Sequence, residues 1–409
     1  MQMRAGAIRR WALLILAGGA IMGISLGIRQ SQGLFMLPVS MGMNWSIEEV
    51  GFAFALQNLV WGLTQPLTGM LADRYGSAKV IFGGIMLYVA GLVAMAYSPN
   101  IIIFYLDTGL LIGAGLAGTA FGVVYGAVNK IVPDADRAWA VALVGAVGGF
   151  VQFLIVPFVN QLLNQYAWTG TLIALAIVFL IVSPLSLCLK TSKLAPNPAG
   201  NEISMSGALS QAFSHSGFWL LNLGFMACGF QLAFLAGHMP SYLVDQGLTL
   251  EEGGATIAII SLANVVGTFV FGYVGGSIFR RKSALSFLYV CRSVAMLLFV
   301  MLPLTTASTY IFATAMGFLW LGTVPLTSGL VGQIFGTKYL TTLFGFVFFG
   351  HQLGAFLGIW LAGYVFDTTG SYDLIWTVCI GMGFVAALAH LPINDKLVYS
   401  PNSLESYAR

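Results

Sequence analysis

Long apolar segments alternate with short polar breaks along the whole chain of 409 residues. A helix needs about 20 apolar residues to cross the hydrocarbon core of a bilayer, and segments of that length predict twelve membrane-spanning helices. The predicted helices cover residues 11–36, 47–71, 79–97, 101–127, 138–163, 168–189, 217–243, 253–277, 283–302, 308–332, 341–366 and 373–393. The first segment is too long for the apolar core of a signal peptide, so we expect it to be the first membrane helix.

The longest polar break divides the chain near its middle. It covers residues 191–216 and contains Pro196 and Pro198, which interrupt regular structure. We therefore predict an N-terminal six-helix bundle at 1–190, a cytoplasmic linker at 191–216 and a C-terminal six-helix bundle at 217–409. The expected fold class is an all-α membrane protein.

The two predicted bundles repeat one another in sequence. Ser46-Ile47-Glu48-Glu49 and Thr249-Leu250-Glu251-Glu252 lie 203 positions apart, and each opens the second helix of its bundle. Both suit helix starts, where carboxylates meet the positive end of the helix dipole. Gly118-Thr119 and Gly322-Thr323 recur at nearly the same offset. A parallel six-plus-six repeat is a known transporter plan, with the substrate site between the halves near mid-bilayer.

Basic residues mark the termini and every second break. Fifteen of the 17 Lys and Arg residues follow this pattern: Arg4, Arg9, Arg10, Arg74, Lys79, Lys130, Arg137, Lys190, Lys193, Arg280, Arg281, Lys282, Lys338, Lys396 and Arg409. Loops rich in Lys and Arg stay on the cytoplasmic side. We therefore expect an integral protein of the inner (plasma) membrane with both termini in the cytoplasm.

Composition excludes several classes of function. The chain is 58% hydrophobic and 8% charged, whereas soluble domains carry about 25% charged residues, so no sizeable soluble domain is expected. The loop bias accounts for the net charge of +3, and we predict no nucleic-acid binding. The four Cys, all in apolar segments, are expected to pack as small buried hydrophobes. Without a phosphate-binding loop, metal-ligand cluster or catalytic triad, we predict no enzyme activity, metal or cofactor, and a monomer in the lipid bilayer.

The loop between the second and third predicted helices carries a family signature. It reads Gly69-Met70-Leu71-Ala72-Asp73-Arg74-Tyr75-Gly76-Ser77-Ala78-Lys79. This resembles the signature of the major facilitator superfamily, Gly-x-Leu-Ala-Asp-Arg-x-Gly-x-Arg/Lys-Arg/Lys. The resemblance implies the major facilitator fold and transport by alternating access. It also implies that this loop controls conformational gating, a role we assign to Gly69, Asp73, Arg74 and Gly76.

The first helix carries a second, narrower resemblance. Gly27-Ile28-Arg29-Gln30-Ser31-Gln32-Gly33-Leu34-Phe35, followed by Pro38, resembles the monocarboxylate porters and the related oxalate/formate antiporters. In the monocarboxylate porters a basic residue occupies a similar place ahead of a Phe-rich end. The resemblance implies a carboxylate substrate, carried with a proton or exchanged for another anion.

Arg29 and Arg292 break the loop pattern because they lie inside apolar segments. A guanidinium keeps its charge in proteins, and a charge at membrane depth is usually functional. Arg29 is predicted slightly beyond the midplane. It either binds a substrate carboxylate bidentately or pairs with Asp107 at comparable depth. Arg292 supports substrate binding, caps carbonyls or reaches a neighbouring helix, with Asn264 or the face of the eleventh helix as candidate partners.

His351 and Asp107 are the titratable candidates. His351 is predicted close to the midplane of the eleventh helix, where it contacts the substrate, relays a proton or packs as an ordinary core histidine. Asp107 lies inside the fourth helix as a partner of Arg29, a proton carrier or a helix-end residue in contact with water. We assign proton coupling to His351 and Asp107.

These residues converge on one functional prediction. We assign substrate binding to six residues: Arg29, His351, Gln57, Tyr125, Arg292 and Trp320. The chain is predicted to be a secondary active transporter of a small organic anion, a monocarboxylate, moved by alternating access with a proton. The alternatives are an anion exchanger, an exporter of a neutral or amphipathic compound with both Arg residues structural, and a membrane receptor that transports nothing. Two buried Arg without an acidic cluster favour an anion.

Overall fold

The computed structural model describes residues 2–191, 205–274, 278–336 and 339–398, and the elements in these ranges are helices. They are α1 (Gln2–Gln30), α2 (Gln32–Met43), α3 (Ile47–Tyr75), α4 (Ser77–Ala96), α5 (Ile101–Phe104), α6 (Gly113–Thr119), α7 (Phe121–Ile131), α8 (Asp134–Val182), α9 (Met205–Ser214), α10 (Ser216–Asp245), α11 (Leu250–Val274), α12 (Arg281–Met301), α13 (Thr306–Phe318), α14 (Thr323–Phe335), α15 (Leu340–Thr369) and α16 (Asp373–His390). A π-helical segment, Tyr105–Ile112, joins α5 to α6, and a 3-10 helix, Ser183–Leu189, follows α8.

Ten helical stretches in the described ranges are long and apolar enough to cross a membrane. One of them, Trp139–Leu189, has 51 residues, about 77 Å of helix at 1.5 Å per residue, more than twice a hydrocarbon core of about 30 Å. A kink at Ala167, where φ is 54°, divides this stretch between the two spans predicted there. The all-α membrane fold is confirmed, whereas the count of twelve spans stays a prediction.

The predicted linker is partly helical. Residues 205–214 form α9, and residues 192–204 lie outside the described part of the chain. The domain boundaries at 190 and 217 therefore stay predictions.

The predicted helix starts at the repeated Ser/Thr-x-x-Glu motifs are confirmed. Ser46 Oγ accepts a hydrogen bond from the Glu49 backbone N–H at 3.1 Å, and Glu49 Oε2 accepts one from the Ser46 N–H at 2.9 Å. Thr249 and Glu252 form the same reciprocal pair at 3.2 and 2.8 Å. Each motif satisfies two N–H groups that a helix start leaves unpaired.

The fourth helix of the first bundle and the corresponding helix of the second are both interrupted at the repeated Gly-Thr. Extended backbone at Ala120 separates α6 from α7, and residues 319–322 separate α13 from α14. Side chains satisfy groups freed by the first break, since Gln65 Nε2 and Thr68 Oγ1 donate to the Ala117 carbonyl at 3.3 and 3.0 Å. Interrupted membrane helices are where transporters built on internal repeats place their binding sites.

Helices α10 and α15 pack with their backbones in contact. A Cβ added to Gly354 would lie 2.0 Å from the Met226 carbonyl oxygen, and one added to Gly358 would lie 2.3 Å from that of Phe230. Such glycine spacing lets membrane helices approach closely. The helix pair therefore holds its side chains in a narrow range of positions.

Gly76 and Thr191 lie at one end of the molecule, which we call the linker end. The two bundles meet at the other end. At that end, the Glu48 backbone N–H donates to Asp367 Oδ2 at 2.6 Å, and Trp360 Nε1 donates to Glu48 Oε1 at 3.1 Å. A Cβ on Gly33 would lie 2.4 Å from the Ala236 carbonyl oxygen. These contacts close the end opposite the linker.

Candidate functional site

Arg29 lies at the end of α1, two residues before the turn at Ser31. Its Nε and Nη2 atoms donate to Asn58 Oδ1 at 3.1 and 2.6 Å, and its guanidinium carbon lies 5.3 Å from the centre of the Trp61 ring. The side chain remains partly exposed. A neutral amide and an aromatic face thus hold the cation, and neither neutralises its charge.

The predicted pairing of Arg29 with Asp107 is wrong in this structure. Asp107 lies in the π-helical segment, buried, where its Oδ2 accepts a hydrogen bond from Ser98 Oγ at 2.7 Å. Asp107 faces the end of α4, whereas Arg29 faces α3. A role for Asp107 in proton coupling stays a prediction.

Aromatic rings connect Arg29 to His351 across the contact between the bundles. The Trp61 ring on α3 meets Phe348 on α15 edge to face, with centres 5.2 Å apart. Phe348 in turn lies nearly parallel to the His351 imidazole at 5.9 Å. Two residues predicted separately, one in each bundle, are therefore brought to one region of the interface.

Polar side chains without partners accompany this region. His351 Nδ1 hydrogen-bonds Gln352 Oε1 at 3.0 Å, while Gln57 Oε1 accepts from Gln32 Nε2. His351 Nε2, Gln352 Nε2 and Gln57 Nε2 are buried and have no hydrogen-bond partner among the described residues. Buried polar atoms are nearly always paired, so these three atoms are candidates for contact with a polar ligand.

Arg292 on α12 forms a second, buried cluster. Its side chain is 0% exposed, and its Nη2 donates to the carbonyls of Leu319 and Trp320 at 2.6 and 2.9 Å. These carbonyls belong to the break between α13 and α14, so the structure agrees with the carbonyl-capping alternative. Asn264 serves the same break, since its Oδ1 accepts from the Leu321 N–H at 3.0 Å.

The Arg292 cluster includes one residue that sequence reasoning missed. Arg292 Nη1 donates to Cys228 Sγ at 3.2 Å and to Gln231 Oε1 at 3.3 Å. From its apolar surroundings in the sequence, Cys228 was expected to pack as a small buried hydrophobe. Trp320, predicted to bind substrate, is buried and offers its carbonyl to Arg292, so it belongs to this cluster as well.

Tyr125 lies beyond the helix break. It is half-buried on α7, with its ring centre 5.8 Å from that of Phe121, and its Oη would lie 2.9 Å from a Cβ added to Gly145 on α8. The structure places it at the contact between α7 and α8. Its predicted contact with substrate stays a prediction.

The signature loop is a tight turn that requires glycine at one position. Gly76 has a φ of 94°, which L side chains rarely adopt, and Arg74 is exposed beside the Tyr75 ring. At Gly69 an added Cβ would meet nothing within 4 Å, so no neighbouring helix packs closely against this glycine. The Asp73 side chain lies outside the described residues, and the gating role stays a prediction.

Comparison with known proteins places this architecture among transporters. The model of the Major Facilitator Superfamily matches residues 11–358. An uncharacterized transporter of that type, YcxA of Bacillus subtilis (strain 168), is 24% identical over 96% of this chain and 98% of its own length. Monocarboxylate transporter 13 of Rattus norvegicus is 25% identical over 89% of this chain and 85% of its own length.

A solved structure agrees with the fold. The crystal structure of the E. coli fucose:proton symporter, FucP, superposes with a TM-score of 0.62 at 17% identity, covering 94% of this chain and 98% of its own. At that identity the likeness shows the fold alone. The major facilitator fold predicted from the signature loop is confirmed.

Proposed function

Because the chain belongs to the Major Facilitator Superfamily, we propose that it is a secondary active transporter of a small organic anion, a monocarboxylate, moved by alternating access with a proton. The relatives named as monocarboxylate transporters support this substrate class. Arg29 is the proposed anchor for the carboxylate.

The observation that carries the proposal is the charge of Arg29 at the contact between the bundles, which no carboxylate in the described part of the chain is seen to neutralise. Its hydrogen-bond acceptor is the Asn58 amide, and the side chain is partly exposed. A positive charge held at this depth by neutral groups favours an anionic ligand, because an ion in a low-dielectric site requires a counter-charge. Arg can also hold a carboxylate through two parallel hydrogen bonds.

His351 is the proposed second contact. Its unpartnered Nε2 is buried, and two aromatic rings link it to the Arg29 site. A ligand held by Arg29 in one bundle and His351 in the other would bind best when the bundles have a particular separation. This dependence on separation is what couples binding to alternating access.

The closed end gives the proposed state. If the basic loops are cytoplasmic, the linker end faces the cytoplasm and the contacts at Glu48 close the outer side. In that orientation the structure is closed toward the outside. A transporter closed on that side can exchange substrate on the cytoplasmic side alone.

The test is substrate binding and uptake by the purified protein. Replacing Arg29 by Gln removes a charged hydrogen bond of about 1.5–3 kcal/mol, which corresponds to roughly 10- to 100-fold weaker carboxylate binding. Arg280→Gln is the matched control, because Arg280 is exposed and pairs with Asp395 in a loop. Unchanged affinity in Arg29→Gln would refute the anchor and favour a neutral substrate.

Coupling is tested in liposomes that contain the purified protein. We expect an inward proton gradient to drive carboxylate uptake into vesicles that contain no carboxylate. Anion exchange is the second candidate, because a permanently charged Arg binds successive anions without titrating. Uptake that requires internal carboxylate and ignores the pH gradient would establish exchange in place of symport.

A further inference from the structure

The charge of Arg292 requires an explanation that its carbonyl contacts do not provide. The side chain is fully buried, and none of its hydrogen-bond acceptors among the described residues is a carboxylate. Removing a guanidinium from water costs several kcal/mol unless a counter-charge accompanies it. Backbone carbonyls and an amide provide dipoles, so one negative charge is still missing from this cluster.

Cys228 is an acid that accepts a hydrogen bond from this guanidinium. Its Sγ accepts from Arg292 Nη1 at 3.2 Å and lies 3.4 Å from Thr323 Oγ1. Thr323 is the first residue of α14, a helix of 13 residues, whose N-terminus adds positive potential. A neighbouring guanidinium and a helix N-terminus are the surroundings in which protein thiols ionise.

The other titratable groups around Cys228 are Tyr289 and His351, both of which interact electrostatically with the thiol. Tyr289 Oη donates to the Gly224 carbonyl at 2.7 Å, and that bond requires its proton. A free Tyr also ionises at higher pH than a free Cys, with pKa values of about 10 and 8.5. Cys228 is therefore the group that can hold the negative charge.

The internal repeat shows that this arrangement is specific to the second bundle. Cys228 lies 203 positions after Ser25, the offset that also relates the two capping motifs. Ser25 Oγ hydrogen-bonds Thr119 Oγ1 at 2.7 Å, and Tyr88 on α4 donates to the Ser25 carbonyl at 3.1 Å. The same helix contact thus exists in both bundles, but the first holds neutral hydroxyls.

We propose that Cys228 is a thiolate paired with Arg292 and that this pair is a reversible proton-binding site in the C-terminal bundle. A proton taken from water bonds to Sγ and converts the thiolate to a thiol, which leaves Arg292 as an unbalanced positive charge. Loss of that proton restores the neutral pair. The net charge inside the bundle therefore changes by one with each proton bound.

The role of this pair in transport rests on the proposed function. The protonated site adds a positive charge near His351, which interacts electrostatically with Cys228 and stacks on Phe348 beside the Arg29 site. The positive potential at the interface therefore increases. Greater positive potential strengthens the binding of an anion. Proton binding at Cys228 and anion binding at Arg29 are therefore mutually favourable, as linkage requires of a proton–anion symporter.

Infrared spectroscopy of the intact, detergent-solubilised protein tests the ionisation without requiring reagent access. A thiol has an S–H stretching band in a window free of other protein bands, and a thiolate has none. Cys379 is the matched control, because it is 0% exposed, lies in the same bundle and is free. We expect Cys379→Ser to remove S–H intensity at neutral pH and Cys228→Ser to remove none.

Cys228→Ala and Cys379→Ala repeat the comparison with a residue that accepts no hydrogen bond, in case one Ser variant does not fold. If the Cys228 variants lose as much S–H intensity as the Cys379 variants, the proposal is overturned. Carboxylate binding by Arg29→Gln is measured separately. If Cys228 is a thiolate and Arg29→Gln binds carboxylate as the wild type does, the inference stands and the anion anchor is refuted. If Cys228 is a thiol and Arg29→Gln binds carboxylate more weakly, the anion anchor stands and the inference is refuted.

Discussion

The contact between α10 and α15 allows a sharp test of the packing. A Cβ on Gly354 would lie 2.0 Å from the Met226 carbonyl oxygen, and ordinary contact begins at 3.4 Å, so Gly354→Ala requires the helices to separate by about 1.4 Å. The obstacle is backbone, which cannot rotate away as a side chain does. Overpacking of this kind destabilises by about 1–3 kcal/mol.

The same helix offers a control for the change from Gly to Ala. Gly345 also lies on α15, and a Cβ there would meet nothing within 4 Å. Both variants gain the same helix propensity, about 1 kcal/mol, so the difference between them isolates the steric effect. We expect Gly354→Ala to be about 1–3 kcal/mol less stable than Gly345→Ala.

The assay is thermal unfolding of the two purified variants in one detergent, followed by circular dichroism or by a fluorescent thiol probe. We expect Gly354→Ala to melt several degrees below Gly345→Ala, since 1 kcal/mol corresponds to about 2–4 °C for a domain of 150–250 residues. Equal melting temperatures would show that the backbones of α10 and α15 are not in contact.

Two further outcomes concern the loops at the linker end. Gly76→Ala forces a side chain onto a φ of 94° and is expected to destabilise the protein by about 1–2 kcal/mol. Gly69 has open space around it, so Gly69→Ala is expected to be neutral or stabilising. Equal melting temperatures of the two variants would contradict the turn geometry. The hydrogen bond from Arg280 lowers the pKa of Asp395 below its ordinary value. This pair therefore stabilises the folded state at pH values above the ordinary pKa of Asp, about 3.9. The stabilisation disappears as the pH falls through the lowered pKa of Asp395. Melting temperatures of the wild type and Asp395→Asn should therefore differ at neutral pH and converge in acid, and a gap that persists in acid would show that charge is not its cause.

The elements that could be predicted from the sequence are those fixed by local chemistry. Apolar length predicts the membrane helices because a bilayer has one thickness, and the capping motifs beginning at Ser46 and Thr249 act within four residues. The turn at Gly76 is local as well. The signature around it was therefore sufficient to predict the fold.

The partners of the buried charges could not be predicted in the same way. Position along a helix predicts the depth of Arg29 and Asp107, but not the direction in which each side chain points from its helix. Arg29 meets Asn58 and Asp107 meets Ser98 because of how α1, α3 and α4 are rotated about their axes. Capping of carbonyls was one of the alternatives for Arg292, whose assigned role was substrate binding, and the break that frees those carbonyls was not predicted.

Cys228 was missed for a different reason. A cysteine in an apolar segment is most often a packing residue, and its type alone gives no indication of a charge partner. The sequence contained one indication, the offset of Cys228 from Ser25 in the internal repeat. That offset becomes informative when the neighbouring residues Thr119 and Thr323 are compared, because it shows Cys in the position of a Ser. Internal repeats therefore deserve comparison residue by residue at polar positions.

The contacts that close the end opposite the linker differ in kind from those that hold each bundle together. Within the C-terminal bundle, α10 and α15 touch through backbone with no room for water. Between the bundles, the Glu48 N–H meets the Asp367 carboxylate at an exposed helix start, where a water molecule can replace either partner at little loss of free energy. Evolution can therefore adjust the speed of opening at Asp367 or Trp360 by single substitutions, while Gly354 and Gly358 of α15 tolerate almost none.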